Sequence, residues 1–214
     1  MIKAKYPTAA VFLPATHTLN AMQKAVQGCR GCDLYKFATQ AVFGEGPNHA
    51  PLMMVGEQPG NEEDFQGHPF VGPAGKLLNT ALEEAGIPRS EVYVTNAVKH
   101  FKFEERGKRR IHKKPSAVEV SACQPWLEAE ISAVKPHVVV CLGATAAQSL
   151  MGRKFRLTQH RGEFFDHPWG PRVSATIHPS AVLRAPDSEE RHREFQHFVE
   201  DLRGVRDVLK TLAR

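Results

Sequence analysis

"APLMMVG" (50–56), followed at once by "EQPG" (57–60), is the stretch from which the fold can be read. Leu52, Met53, Met54 and Val55 form an unbroken apolar run that stops at Gly56, in a turn rich in glycine and proline. A run that short, bounded by turn residues, reads as a strand covered on both faces, as in a parallel sheet between helices. Three further runs repeat the pattern: "EVYVTNA" (91–97), "PHVVVCLG" (136–143) and "RVSATIHP" (172–179). Helical spacing separates them in "PAGKLLNTALEEAG" (73–86) and in "SAVEVSACQPWLEAEISAV" (116–134), which Ser116 and Glu119 open as a capping box. Pro125 falls inside the second and is expected to kink it. "ATAAQSLMG" adds a short helix and Glu189 to Leu212 a long amphipathic one. Alternating strands and helices predict an α/β fold with a four-stranded parallel sheet between two helical layers.

The chain of 214 residues, 42% of them hydrophobic, can bury a sizeable core and reads as a single domain over residues 1–214. The opening "MIKAKYPTAAVFLPATHTL" is broken by Pro7, Pro14 and His17, so it is expected to be neither a signal peptide nor a membrane anchor, and the protein is placed in the cytoplasm. In a reducing compartment four cysteines are better read as thiols or metal ligands than as two disulfides.

Ligands of such sheets bind beyond the carboxyl ends of the strands. The four runs lead into "GEQPG" (56–60), "TNAVKH" (95–100), "LGATA" and "HPSAVLR" (178–184), which gathers polar side chains on one edge. Taken singly each is an ordinary turn. The same edge launches a basic segment: from Lys99 to Lys114 eight Lys or Arg stand against Glu104 and Glu105, a local +6 in a chain of net +5. Concentrated positive charge is the footprint expected for phosphate, and nucleic acid is the leading partner against a merely solvated loop. Cys29 and Cys32 form a C-x-x-C step, with Cys123 and Cys141 far downstream. Four thiolates suit zinc or an iron–sulfur cluster, and the unpaired later cysteines fit a zinc ribbon poorly.

Jointly, "GEQPGNEEDFQGHPFVGPAGKLL", "VYVTNAVKH", the cysteine pattern and "HPSAVLR" resemble the iron–sulfur branch of the uracil-DNA glycosylase superfamily, near its family 4. "KRRIH" (108–112) with Gln58 is similar to the UdgX subgroup, whose members attach themselves covalently to uracil-containing DNA. The resemblance spans Cys29 to Arg184 and implies a three-layer α/β/α fold and a [4Fe–4S] cluster on Cys29, Cys32, Cys123 and Cys141. It implies that Phe70 stacks on uracil, Asn96 reads its edge and His178 hydrogen-bonds its carbonyl. His112 would attack C1′ of the sugar, with Glu57 orienting it or taking its proton, and neighbouring Lys and Arg would help keep the imidazole neutral. Gln58 would position uracil or the neighbouring loop, and Lys108, Arg109, Arg110 and Arg184 would contact DNA. His100 is expected to matter much less. Asn61 departs from the acidic residue expected of the subgroup at that place. The implied partner is uracil-containing DNA, single strands included, met by a monomer. Two rivals stand beside this reading: a turnover glycosylase whose basic loop only binds DNA, and a metal-binding nucleic-acid module without catalysis.

Overall fold

The computed structural model describes residues 8–212; residues 1–7, which open the N-terminal stretch read above, and 213–214 lie outside it. In chain order the main elements are α1 (Leu19–Ala25), β1 (Leu52–Gly56), α2 (Asn61–Gln66), α3 (Pro73–Ala85), β2 (Val92–Asn96), β3 (Phe103–Arg106) and β4 (Arg109–His112). There follow α4 (Ala117–Val134), β5 (Val138–Leu142), α5 (Ala144–Met151), α6 (Leu157–His160), β6 (Phe164–Asp166), β7 (Arg172–Thr176), α7 (Pro179–Leu183) and α8 (Ser188–Leu212).

The central sheet runs β2-β1-β5-β7-β6. The four runs read from sequence are its four parallel strands, and a fifth, β6, is added antiparallel to β7 at the edge. The four-strand expectation is therefore corrected to five. β6 escaped because "FFD" is only three residues long and half exposed, too short for a period to declare itself. Every residue of β1, β2 and β5 is buried, as strands covered on both faces must be.

Successive residues point to opposite faces, so each strand feeds two cores. Leu52, Met54, Val92, Val94, Val138 and Val140 pack with Leu78 and Leu82 of α3 and with Phe198 and Leu202 of α8. Met53, Val55, Tyr93, Val139 and Cys141 pack against Leu127 and Ile131 of α4 and Ala146 of α5. A third core lies off the sheet, where Cys29, Cys32, Cys123 and Trp126 meet Met22 of α1. α4 thus serves two cores, with Leu127, Ile131 and Val134 facing the sheet and Ala122, Cys123, Trp126 and Ala129 facing the third core. That double burial explains why Pro125 does not end the helix although its ring removes an internal hydrogen bond. The capping box is as read: Ser116 Oγ accepts from Glu119 N–H at 3.3 Å and Glu119 Oε2 from Ser116 N–H at 2.6 Å.

The basic segment is not a loop. β3 and β4 pair antiparallel, with Phe103 opposite His112 and Arg106 opposite Arg109 across a turn at Gly107. Among the described residues no helix is long and apolar enough to cross a membrane.

Candidate active site

The carboxyl ends of β1, β2 and β7 converge on one cradle. Gly56, the last residue of β1, lies so close beneath two side chains that a Cβ there would stand 2.3 Å from Asn96 Oδ1 and 2.8 Å from Phe70 Cζ. Asn96 is 3% exposed, and among the described residues its side-chain amide has no hydrogen-bond partner. An amide with both donor and acceptor uncommitted within the protein can pair with the edge of a ligand that carries both. Phe70 is held at φ 57°, the left-handed region that bulky residues avoid, and such strain gathers at functional sites. Two contacts hold that loop in place. A Cβ on Gly75 would lie 1.7 Å from the Phe70 carbonyl, so α3 abuts the loop closely. Glu63 accepts from Gly60 N–H at 3.0 Å and from Gly72 N–H at 2.9 Å, tying the turn after β1 to the start of α3.

His178 caps α7 and stacks on Phe70 with ring centroids 6.2 Å apart. Its Nδ1 accepts the Ser180 N–H at 3.1 Å, which leaves the ring proton on Nε2 as a donor into the cradle. Burial, reinforced by the charge of Arg184, pulls the imidazole down to about 4, so His178 is neutral at neutral pH.

His112, at the end of β4, brings Nε2 to 3.6 Å from Glu57 Oε1. That distance exceeds a hydrogen bond, and apo catalytic contacts are often this long. Burial lowers the His112 pKa, Glu57 opposes the shift and Arg184 adds to it. The cation that helps keep His112 neutral is thus Arg184, from the opposite wall, rather than the Lys and Arg beside it in the chain. Gln58 is spent on the hairpin: its Nε2 donates to the carbonyls of Lys102 and Lys113, each at 3.1 Å, and its Oε1 accepts from Lys102 N–H at 3.2 Å. Of its two expected tasks, the geometry favours holding the loop over touching the base.

Arg110, in the middle of the basic run, is held within the protein. Its guanidinium pairs with Asp64 at 2.7 Å, donates to Asn61 Oδ1 at 2.8 Å and lies 4.0 Å from the centroid of Phe65 and 4.9 Å from that of Phe103. It is a clamp between β4 and α2, committed to partners within the protein. Asn61 supplies an oxygen to that clamp, and Asp64, three residues on, supplies the charge. Lys99 leaves the footprint too, wholly buried against Glu130, which also accepts from Tyr93 Oη, Thr95 Oγ1 and Gly44 N–H. Lys102 pairs with Glu119 and Lys113 with Glu104. Lys108, Arg109 and Lys114 remain exposed and, among the described residues, without an ion pair. The ion pairs join residues well separated along the chain, and the local charge pattern carries no sign of them.

A sequence model of the uracil DNA glycosylase superfamily matches residues 43–203. The chain belongs to this superfamily. It is 37% identical over 193 residues to the type-4 uracil-DNA glycosylase of Thermotoga maritima, covering 90% of this chain and 95% of that one. The type-4 uracil-DNA glycosylase of Archaeoglobus fulgidus is 37% identical over 182 residues, covering 82% and 88%. A type-5 uracil-DNA glycosylase of Pyrobaculum aerophilum matches at 31% over 155 residues, 64% of each chain.

The cradle stands apart from the cysteines. Cys29, Cys32 and Cys123 share the third core, near enough for their charges to act on one another. Trp126 Nε1–H donates to Cys29 Sγ at 3.2 Å and Lys99 N–H to Cys123 Sγ at 3.3 Å. Cys141 is not among them. It sits in β5 between Val55 and Ala175, in the core facing α4 and α5, with no other cysteine acting on it. Of the four cysteines read as candidate ligands, three therefore share one core and Cys141 lies in another. Burial pushes Cys32 up to about 11 and Cys123 up to about 12. No three His, Cys, Asp or Glu side chains among the described residues converge tightly enough to hold a single metal ion. A cluster differs in taking its ligands at separate corners, and N–H groups aimed at two of the sulfurs are the contacts cluster thiolates use.

Proposed function

We propose that this protein excises uracil from DNA and retains the product as an adduct on His112. The placement of His112 beside Glu57, at the mouth of the cradle of Phe70, Asn96 and His178, is the observation that carries the reading. A flipped uracil stacks on Phe70 and pairs its edge with the uncommitted amide of Asn96. The glycosidic bond breaks with its electron pair leaving on uracil, whose carbonyl oxygen takes a hydrogen bond from His178 Nε2–H as negative charge gathers there. The sugar is left cationic at C1′. A lone pair of the neutral His112 imidazole forms the C1′–N bond, and Glu57 accepts the proton that the alkylated ring gives up. Lys108 and Arg109 at the hairpin tip, with Arg184 across the cradle, meet the phosphates.

Cys29, Cys32 and Cys123 would hold a [4Fe–4S] cluster. When bound it would cross-link the C-x-x-C turn to α4, remote from the sugar chemistry.

The names of the type-4 relatives favour a second reading, in which water captures the sugar cation and the enzyme turns over. Incubation with a uracil oligonucleotide followed by denaturing electrophoresis separates the two. We expect one protein–DNA species, reaching the protein's own stoichiometry, that survives denaturant. Free uracil in excess of protein, with no shifted band, would assign the chain to turnover instead.

A further inference from the structure

Lys99 is completely buried, although lysine is almost never enclosed unless its charge is paired. Its ammonium has three protons, and three acceptors meet it: Glu130 Oε2, Thr95 Oγ1 at 2.7 Å and the backbone carbonyl of Asn96 at 2.8 Å. The third contact reaches the base cradle. Given the base-reading role of Asn96 proposed above, on which this rests, we propose that Lys99 is a positioning residue for base reading, its ammonium fixing the peptide from which the Asn96 amide projects.

The sheet leaves that carbonyl to the side chain. β2 is an edge strand, and on its outer side Val94 N–H donates to Glu45 C=O at 2.8 Å while Val94 C=O accepts from Glu45 N–H at 2.9 Å. Backbone groups alternate sides along a strand, so the Asn96 carbonyl, two residues on, faces the same outer edge. Among the described residues the bridge made by Glu45 is an isolated one at Val94 and does not extend to Asn96. The inner side is held by the backbone: Ala97 N–H donates to Gly56 C=O at 2.9 Å and Val98 N–H to Glu57 C=O at 3.1 Å. Lys99 closes the outer side.

The ammonium is itself firmly anchored. Thr95 Oγ1 accepts from Lys99 and gives its own proton to Glu130, whose carboxylate also accepts from Tyr93 Oη and from Gly44 N–H, each at 3.0 Å. The root of Lys99 is pinned by its N–H on Cys123 Sγ and by its C=O, which accepts from Val42 N–H. The Asn96 amide, with no such bond among the described residues, points where its backbone and the close approach of Gly56 direct it. A buried ion pair adds little stability over apolar residues of the same volume, so stability does not account for enclosing this one. A carbonyl that must be held does.

The test uses the full-length protein and a single-stranded uracil oligonucleotide, with single-turnover excision followed over a range of protein concentrations. Lys99→Met alone strands Glu130, so the pair is removed together in Lys99→Met/Glu130→Gln, which keeps an oxygen for Gly44 N–H and Tyr93 O–H. Its urea midpoint should lie closer to wild type than that of Lys99→Met. We expect its excision rate at saturation to fall on the order of tenfold to a hundredfold, as misplacing a reacting group does. The half-saturating concentration should stay near the wild-type value, because the cations of the hairpin tip are untouched. Thr95→Val, a milder variant that takes away one anchor of the ammonium, should show the same pattern in lesser degree. In an Asn96→Ala background the paired change should cost no more than about twofold, since two changes that act through one group do not add. The full loss repeated in that background, or wild-type rates in both Lys99→Met/Glu130→Gln and Thr95→Val, would overturn the positioning role and leave Asn96 as the reader. Asn96→Ala protein that excises uracil as fast as the wild type would overturn the reader, and the positioning role with it.

Discussion

Gly56 shows how tightly the base cradle is specified. The Cβ of an alanine would press on both Asn96 Oδ1 and Phe70 Cζ, the two atoms that, in the proposed function, read and stack the base. Gly56→Ala is expected to slow single-turnover excision about a hundredfold, the usual cost of an ångström-scale misplacement, with the circular dichroism spectrum unchanged. His112 can be separated from that machinery. His112→Gly keeps Phe70, Asn96 and His178 and opens room for water at C1′, so the denaturant-resistant band should disappear while free uracil accumulates beyond one equivalent. Adduct found on another residue by peptide mapping would end the nucleophile assignment. The two histidines also make a pH test. Both lie below the ordinary histidine value, so each is neutral, and competent, above its own pKa and is lost as pH falls through it. Adduct formation should therefore hold through neutral pH and fall on the acid side of the ordinary 6.5. Cleavage by His112→Gly should be lost on the acid side as His178 takes its proton, at a pH somewhat above the wild-type value of about 4 because the variant removes one of the charges that hold His178 down.

At the scale of elements, the hairpin of β3 and β4 decides whether His112 can act, and it is held from two sides. Gln58 bonds its base and Arg110 clamps β4 to α2 through Asp64 and Asn61. Arg110→Ala removes a mostly buried ion pair and a guanidinium packed on Phe65 and Phe103, and leaves Asp64 short of its partner. Its adduct rate should drop at least about tenfold, as misplacing a reacting group does, while excision, which needs only the cradle, falls less. Equal losses in the two rates would show that the clamp serves the fold at large. The tip behaves differently. Replacing Lys108 and Arg109 together by Ala should weaken DNA binding and lower its salt slope by about 2, one for each phosphate no longer neutralised, with the adduct chemistry of bound DNA intact. Local reading recovered most of this layer, including all four parallel strands, the four longest helices and the loops that meet at their carboxyl ends. It missed the hairpin because "FKFEERGKRRIH" offers charge rather than apolar alternation, and Arg110 because a cation's partner is invisible until α2 is folded beneath it.

For the whole molecule, the buried pair of Lys99 and Glu130 joins the end of β2 to α4 and stands between the sheet and the cysteine core. Glu130 is fully buried and each of its oxygens is bonded, so the pair is compensated as it stands. Lys99→Met would strand the carboxylate. A loss of about 3–5 kcal/mol in urea denaturation is expected, the range for breaking a buried pair by removing one partner. A change under about 1 kcal/mol, typical of an exposed pair, would show that solvent reaches Glu130. The architecture was legible because helix and strand periods are written locally, in short runs whose burial their own spacing demands. That Phe70, Asn96 and His178 share one edge was legible too, since strand ends of a parallel sheet must meet there. Pairings across the chain were not. Cys141 is a single letter, and whether it stands beside Cys29 and Cys123 depends on the face of β5 from which it points. Lys99 and Arg110 looked like their exposed neighbours until packing enclosed them. A charge pattern records how many cations a segment carries; only the folded contacts settle which of them still face solvent.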